Sequence, residues 1–212
     1  MFKLISVITL ASAILISGCS EPKQNVQSAK SGQVDISYEE GKHYRLVNNI
    51  NVGELKAPFL VEYFWLGCPH CQSFEKPLQD FKSANPEVGF IRKHAVLSEG
   101  WVNDGRIFYA LQETNNMAHF AELFDLYKSG INDANFDVFF TKNNIDKAAF
   151  LETAGKNENV INNMKESYEE MSANKMTSVP SIVVNGKYLI IASEDTNNND
   201  KYFKLVNHLL KK

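Results

Sequence analysis

The sequence predicts an α/β fold in which a block of helices interrupts a strand-bearing body, and three patterns predict it. An apolar, β-favouring run from Phe59 to Trp65 is followed by a helical repeat and then by a second such run from Val88 to Val96. Between Trp101 and Lys175 no good strand pattern occurs, and apolar residues recur at helical spacing. Strands return in Ser181 to Ile191, divided by Asn185-Gly186, a pair suited to a tight hairpin turn.

The chain opens on a different pattern. Lys3 carries the only charge ahead of an apolar stretch from Leu4 to Ile16 that ends in Ser17-Gly18-Cys19. This reads as a secretory signal over 1–18, because about 13 apolar residues fall short of the roughly 20 that span a bilayer. Its end resembles a bacterial lipobox, in which the cysteine, here Cys19, becomes lipid-modified. The alternative is ordinary cleavage nearby, which leaves Cys19 a stray thiol. Residues 19–37 are rich in Ser, Gln, Lys and Asn and are expected to form a flexible, lipid-anchored tether.

The folded body is expected from Tyr38. Tyr44 to Val47 reads as a short strand. Phe59 to Trp65, bounded by Pro58 and Gly67, has the near-continuous apolarity of a strand covered on both faces, with Glu62 as the exception. Cys71, Phe74, Leu78 and Phe81 then follow helical spacing, Pro69 suits a first helical turn, and Pro77 is expected to kink the helix. Within the helical block, Ile107, Ala110 and Leu111, then Met117, Phe120, Phe124 and Tyr127, and later Val160, Ile161, Met164 and Tyr168 mark successive apolar faces, with shorter helices over Phe136 to Phe140 and Ala148 to Leu151. Tyr202, Leu205, Val206, Leu209 and Leu210 make a closing amphipathic helix. The expected division is therefore 38–100 for the first part of the body, 101–176 for the helical insertion and 177–212 for the second part.

With 212 residues, 44% hydrophobic and 22% charged, the chain has enough apolar mass for one substantial core. A net charge of −3, with no basic cluster interleaved with aromatics, provides no field for a phosphate backbone, so nucleic acid is not expected as a partner.

Three cysteines are present, and if Cys19 is lipidated only Cys68 and Cys71 remain. A zinc site would need four protein ligands, or three with water. Only one Cys pair exists, and His43, His94, His119 and His208 are scattered, so no metal is expected. A structural staple is also a poor account, since closing so short a loop contributes only about 2 kcal/mol. Redox chemistry does require this spacing. Cys68 at a helix start meets free backbone N–H groups and the positive end of the helix dipole, which favour a thiolate. Cys71, one turn further, faces the interior and can resolve a mixed disulfide.

These pieces together resemble the DsbA family of thioredoxin-fold thiol oxidoreductases. The matching residues are Cys68-Pro69-His70-Cys71, the preceding Val61-Glu62-Tyr63-Phe64-Trp65, Ser178-Val179-Pro180-Ser181 with Val183-Val184-Asn185-Gly186-Lys187-Tyr188, and Tyr38-Glu39-Glu40-Gly41-Lys42-His43-Tyr44. The resemblance implies a thioredoxin fold with an inserted all-helical subdomain. It implies that Cys68 is the nucleophile, Cys71 the resolving thiol and His70 a residue that favours the Cys68 thiolate. Pro69 completes that dipeptide. Pro180 is implied to be a cis-proline facing the disulfide, with Val179 offering backbone groups to a substrate strand. Glu62 matches the family's buried acid behind the inner cysteine, and Arg92 stands where the family carries a lysine. Leu66 and the edge of Trp101 are candidates for an apolar substrate groove.

The Pro-His dipeptide is of the oxidase type, so the implied function is a periplasmic, lipid-anchored thiol:disulfide oxidase with no cofactor. It would donate a Cys68-Cys71 disulfide to reduced, unfolded exported proteins, act as a monomer and be reoxidised by a DsbB-like quinone-linked membrane protein. The rivals are a reductase or isomerase of the same fold, and a noncatalytic peptide-binding or metal-carrying lipoprotein.

Overall fold

The computed structural model describes residues 37–212. The signal segment, Cys19 and the tether up to residue 36 lie outside the described residues. The body begins with strand β1 (Tyr44–Leu46), followed by β2 (Phe59–Phe64), helix α1 (Pro69–Ala84) and β3 (Gly89–His94). Helices α2 (Val102–Glu113), α3 (Phe120–Ser129), α4 (Asp133–Lys142), α5 (Lys147–Lys156) and α6 (Glu158–Ala173) come next. Strands β4 (Ser181–Val184) and β5 (Tyr188–Ile190) and helix α7 (Asn199–Leu210) complete the chain. The five strands form one sheet in the order β1-β5-β4-β2-β3. Only β2 and β3 pair in parallel; β1–β5, β5–β4 and β4–β2 are antiparallel. This is the expected thioredoxin fold with a helical insertion, and it places the Cys-rich turn between the C-terminal end of β2 and α1.

β2 is buried at every position, as a central strand between two neighbours must be. Its alternation sends Leu60 toward α1 and α7, where Leu78, Phe81, Leu205, Val206 and Leu209 form one apolar layer. Val61 and Tyr63 point the other way, into a layer with Met171, Met176, Val183 and Leu189. Phe64 ends the strand inside a third cluster, the aromatic core of the insertion, made of Phe108, Phe120, Phe124, Phe139, Phe140 and Phe150. Cys68 and Cys71 belong to that same cluster, so the cysteine turn sits where sheet and insertion meet.

The hairpin forms as its sequence demands: Asn185 and Gly186 both take positive φ, at 52° and 65°, and join β4 to β5. Pro77 neither ends nor divides α1. The carbonyl that loses its donor there belongs to Ser73, an exposed residue, where water can replace the missing bond. Strand β2 stops at Phe64 rather than Trp65, where the turn into α1 begins, and β3 ends at His94 rather than Val96, ahead of the segment leading to α2.

The insertion is fastened to the sheet by a buried ion cluster. Lys93 on β3 donates to Glu166 and to both carboxylate oxygens of Glu170 on α6, each at 2.8 Å. Tyr63 donates its hydroxyl to Glu170 at 2.6 Å, and the Asn51 N–H reaches the same carboxylate at 2.5 Å. Removing the cation leaves a buried carboxylate uncompensated. Lys93→Met should therefore cost about 3–5 kcal/mol in urea unfolding, the range for breaking a buried ion pair.

Candidate redox site

Trp65 to Gly67 form the turn between β2 and α1. The Cys68 N–H donates to the Trp65 carbonyl at 3.0 Å, and the Gln72 side chain donates to the Leu66 carbonyl at 3.0 Å. Cys68 is then the N-cap of α1 in an extended conformation, with φ −82° and ψ 114°. Its sulfur accepts the Cys71 backbone N–H at 3.1 Å, as a serine or aspartate oxygen does at other helix starts. Pro69 occupies the first helical position, where its missing N–H costs nothing. Pro69 and His70 are exposed, whereas both sulfur-bearing residues are buried.

Opposite this turn, the Cys68 thiol donates to the Val179 carbonyl across 3.7 Å, and the Val179–Pro180 peptide bond is cis. Chain regions 111 residues apart thus converge on one sulfur. Cys71 differs from Cys68 in its surroundings. Burial pushes its thiol far above the ordinary range, helped by its hydrogen bond with Cys68 and by the charge of Glu62.

Glu62 is 1% exposed and lies opposite Arg92 in the parallel β2–β3 register. Arg92 Nε donates to it at 2.6 Å, while Nη2 of the same guanidinium reaches Glu75 on α1 at 2.6 Å. The guanidinium also lies over the Phe120 ring at 4.4 Å. Burial raises the Glu62 carboxyl above its usual range, against the opposing pull of Arg92. Burial and the guanidinium thus act on this carboxyl in opposite directions. Glu75, half-buried, borders a cavity of about 720 Å³ between α1, β3 and α3 and carries this ion chain outward.

The structure therefore gathers Cys68, Cys71, Glu62, Val179 and Pro180, with Pro69 and His70 on the outer rim. Leu66 is fully buried and lines no groove, contrary to expectation, because its N–H and side chain turn inward toward His94 and the insertion. Two contributors are not signalled as site residues in the sequence. Glu75 carries a faint signal, lying one helical turn beyond Cys71. His94 carries none, since its partner Leu66 is 28 residues away.

A thioredoxin fold whose Cys-x-x-Cys turn caps a helix, with the outer sulfur facing a proline-bearing loop and an acid behind the inner one, defines a thiol:disulfide oxidoreductase. Comparisons with known proteins agree. A family model described as thioredoxin matches residues 46–207. The thiol:disulfide interchange protein DsbA of Azotobacter vinelandii is 30% identical over 181 residues, covering 82% of this chain and 83% of that protein. The DsbA of Pseudomonas aeruginosa is 30% identical over 159 residues, covering 71% and 74%. Its crystal structure superposes with a TM-score of 0.69 at 26% identity, covering 82% of this chain and 93% of that one. The chain belongs to the DsbA family of thiol:disulfide oxidoreductases.

His94 gives the site a pH limit. It is fully buried, its Nε2 accepts the Leu66 N–H at 3.2 Å, and burial lowers its pKa from 6.5 to about 3. The unfolded chain protonates this imidazole near pH 6.5, and the folded one does so only near pH 3. Its contribution to stability is complete above pH 6.5 and is lost as pH falls toward 3, by about 1.4 kcal/mol per unit. Denaturant titrations at pH 7, 5.5 and 4 should show that slope in the wild type. His94→Gln, whose amide oxygen can still accept the Leu66 N–H, should lack it.

Proposed function

We propose that this protein is an extracytoplasmic disulfide donor. The observation that carries the reading is Cys68 at the N-cap of α1, its sulfur aimed at by a backbone N–H and flanked by exposed Pro69 and His70. In the oxidised protein a substrate thiolate attacks the Cys68 sulfur, forming a mixed disulfide and expelling the Cys71 sulfur with the electron pair of the broken bond. Because the buried Cys71 strongly favours its protonated form, it takes up a proton on leaving, and Glu62, whose charge bears on Cys71, is the group assigned to relay it. A second substrate thiolate then attacks the substrate sulfur and releases Cys68 as a thiolate. Val179 and Pro180 offer the backbone edge along which the substrate strand lies. Loss of two electrons to a DsbB-like quinone-linked membrane partner restores the disulfide, with Glu62 taking the Cys71 proton back.

The lipobox-like Ile16-Ser17-Gly18-Cys19 supports a periplasmic location with a lipid anchor at Cys19, the tether 19–37 linking it to a monomeric body divided at 38–100, 101–176 and 177–212. Labelled palmitate should enter the wild-type chain and not Cys19→Ala. Absence of label from both would remove the anchor from this reading.

The roles of the sulfurs are separable. Cys71→Ser should accumulate reducible mixed disulfides with exported proteins, and Cys68→Ser should form none.

The direction of electron flow is tested by melting. A thiolate held by the Cys71 N–H and the helix end should outweigh the roughly 2 kcal/mol that closing a four-residue loop gives the oxidised form. The reduced protein should then melt higher than the oxidised one at pH 7. A higher melting temperature for the oxidised form would assign the protein to disulfide reduction instead.

A further inference from the structure

We propose that Asp104, on the helical insertion, is a positioning residue for the redox centre: it pins the Trp65 indole onto the Gly67 backbone and so fixes the turn that aims Cys71 N–H at the Cys68 sulfur. Asp104 lies in the first turn of α2, remote in sequence from the cysteines, and both its carboxylate oxygens are engaged. Oδ2 accepts the Trp65 indole N–H at 2.6 Å, and Oδ1 accepts the Tyr127 hydroxyl from α3 at 2.9 Å. The second indole, Trp101, stacks on Trp65 at 4.6 Å and 9° and stands at the N-cap position of α2.

The consequence for the cysteine turn is steric. A Cβ on Gly67 would lie 2.4 Å from Trp65 Cζ2 and 2.7 Å from Cε2, so the six-membered ring rests directly on the glycine backbone beside Cys68. The same tryptophan's carbonyl accepts the Cys68 N–H at 3.0 Å. Trp65 is thus held at both ends, by Asp104 through its side chain and by Cys68 through its main chain. With His94 gripping the Leu66 N–H, both Trp65 and Leu66 are held from outside the turn, and Gly67 lies under the indole.

This matters differently for the two redox states. A disulfide needs no hydrogen-bond donor, whereas a thiolate at Cys68 depends on the Cys71 N–H pointing at it. Loosening the turn therefore weakens the reduced, thiolate state selectively, and the helical insertion, through Asp104, sets part of the redox equilibrium of a cysteine pair it does not contain.

The test is the equilibrium of the full chain with reduced and oxidised glutathione. Asp104→Ala and Trp65→Phe each remove the indole bond, and each should favour the oxidised form by roughly tenfold, about 30 mV. The double variant should shift no further than either alone, the signature of one shared interaction. Asp104→Asn, whose amide oxygen can still accept the indole N–H, should recover most of the wild-type equilibrium. Lower melting temperatures with an unchanged glutathione equilibrium would make Asp104 merely structural and overturn the proposal. Additive shifts, or Asn and Ala variants shifting alike, would overturn it too, because charge rather than the bond would then be responsible. The proposal rests on Cys68 being the exchanging sulfur, and the Cys71→Ser trapping measurement fails or succeeds independently of it.

Discussion

A carboxylate in the middle of a strand buried on both faces is the constraint around which the rest of this structure is arranged. Glu62 has no route to water, being 1% exposed, so the fold must bring a cation to it or leave a cost of several kcal/mol. The parallel β2–β3 register brings Arg92, and a shift by one residue would present Ile91 or Lys93 instead and send every β3 side chain to the wrong face. Arg92 in turn needs more than one acceptor. Glu75 on α1 supplies it, which ties the helix carrying both cysteines to the strand behind them.

The two sulfurs inherit opposite environments from this arrangement. Cys68 stands at a helix start with a donor aimed at it, and Cys71 stands one turn in, where burial and the nearby carboxylate oppose ionisation. The proposed exchange uses that difference: the outer sulfur at the helix start is the one that meets substrate, and the inner one is held as a thiol. Arginine in the place of the family's lysine fits the same need, since its planar fork contacts Glu62 and Glu75 at once and still lies over the Phe120 ring.

Much of this was legible in the chain because local chemistry speaks locally. The Asn185-Gly186 turn, the closing amphipathic helix and the Cys68-Pro69-His70-Cys71 helix start each carry their geometry within a few residues. Glu62 announced itself by being charged inside an apolar run. Leu66 misled for the same reason: an apolar residue beside a redox motif looks like a groove wall, and only the packed insertion shows it turned inward. At Pro77, an exposed carbonyl partner lets α1 continue through the proline without a break.

By itself the sequence determined the element types, the α/β class with its helical insertion, and a cysteine pair at a helix start, because periodicity, turn residues and a capping sulfur act over short range. Tertiary structure decided which charges meet. Glu62 and Glu75 share one guanidinium, Lys93 joins sheet to insertion through Glu166 and Glu170, and Asp104 holds Trp65 over Gly67. Those pairings span from 17 to 77 residues of chain, and no local pattern encodes which of many acids and bases will face each other once the sheet register and the helix packing are set.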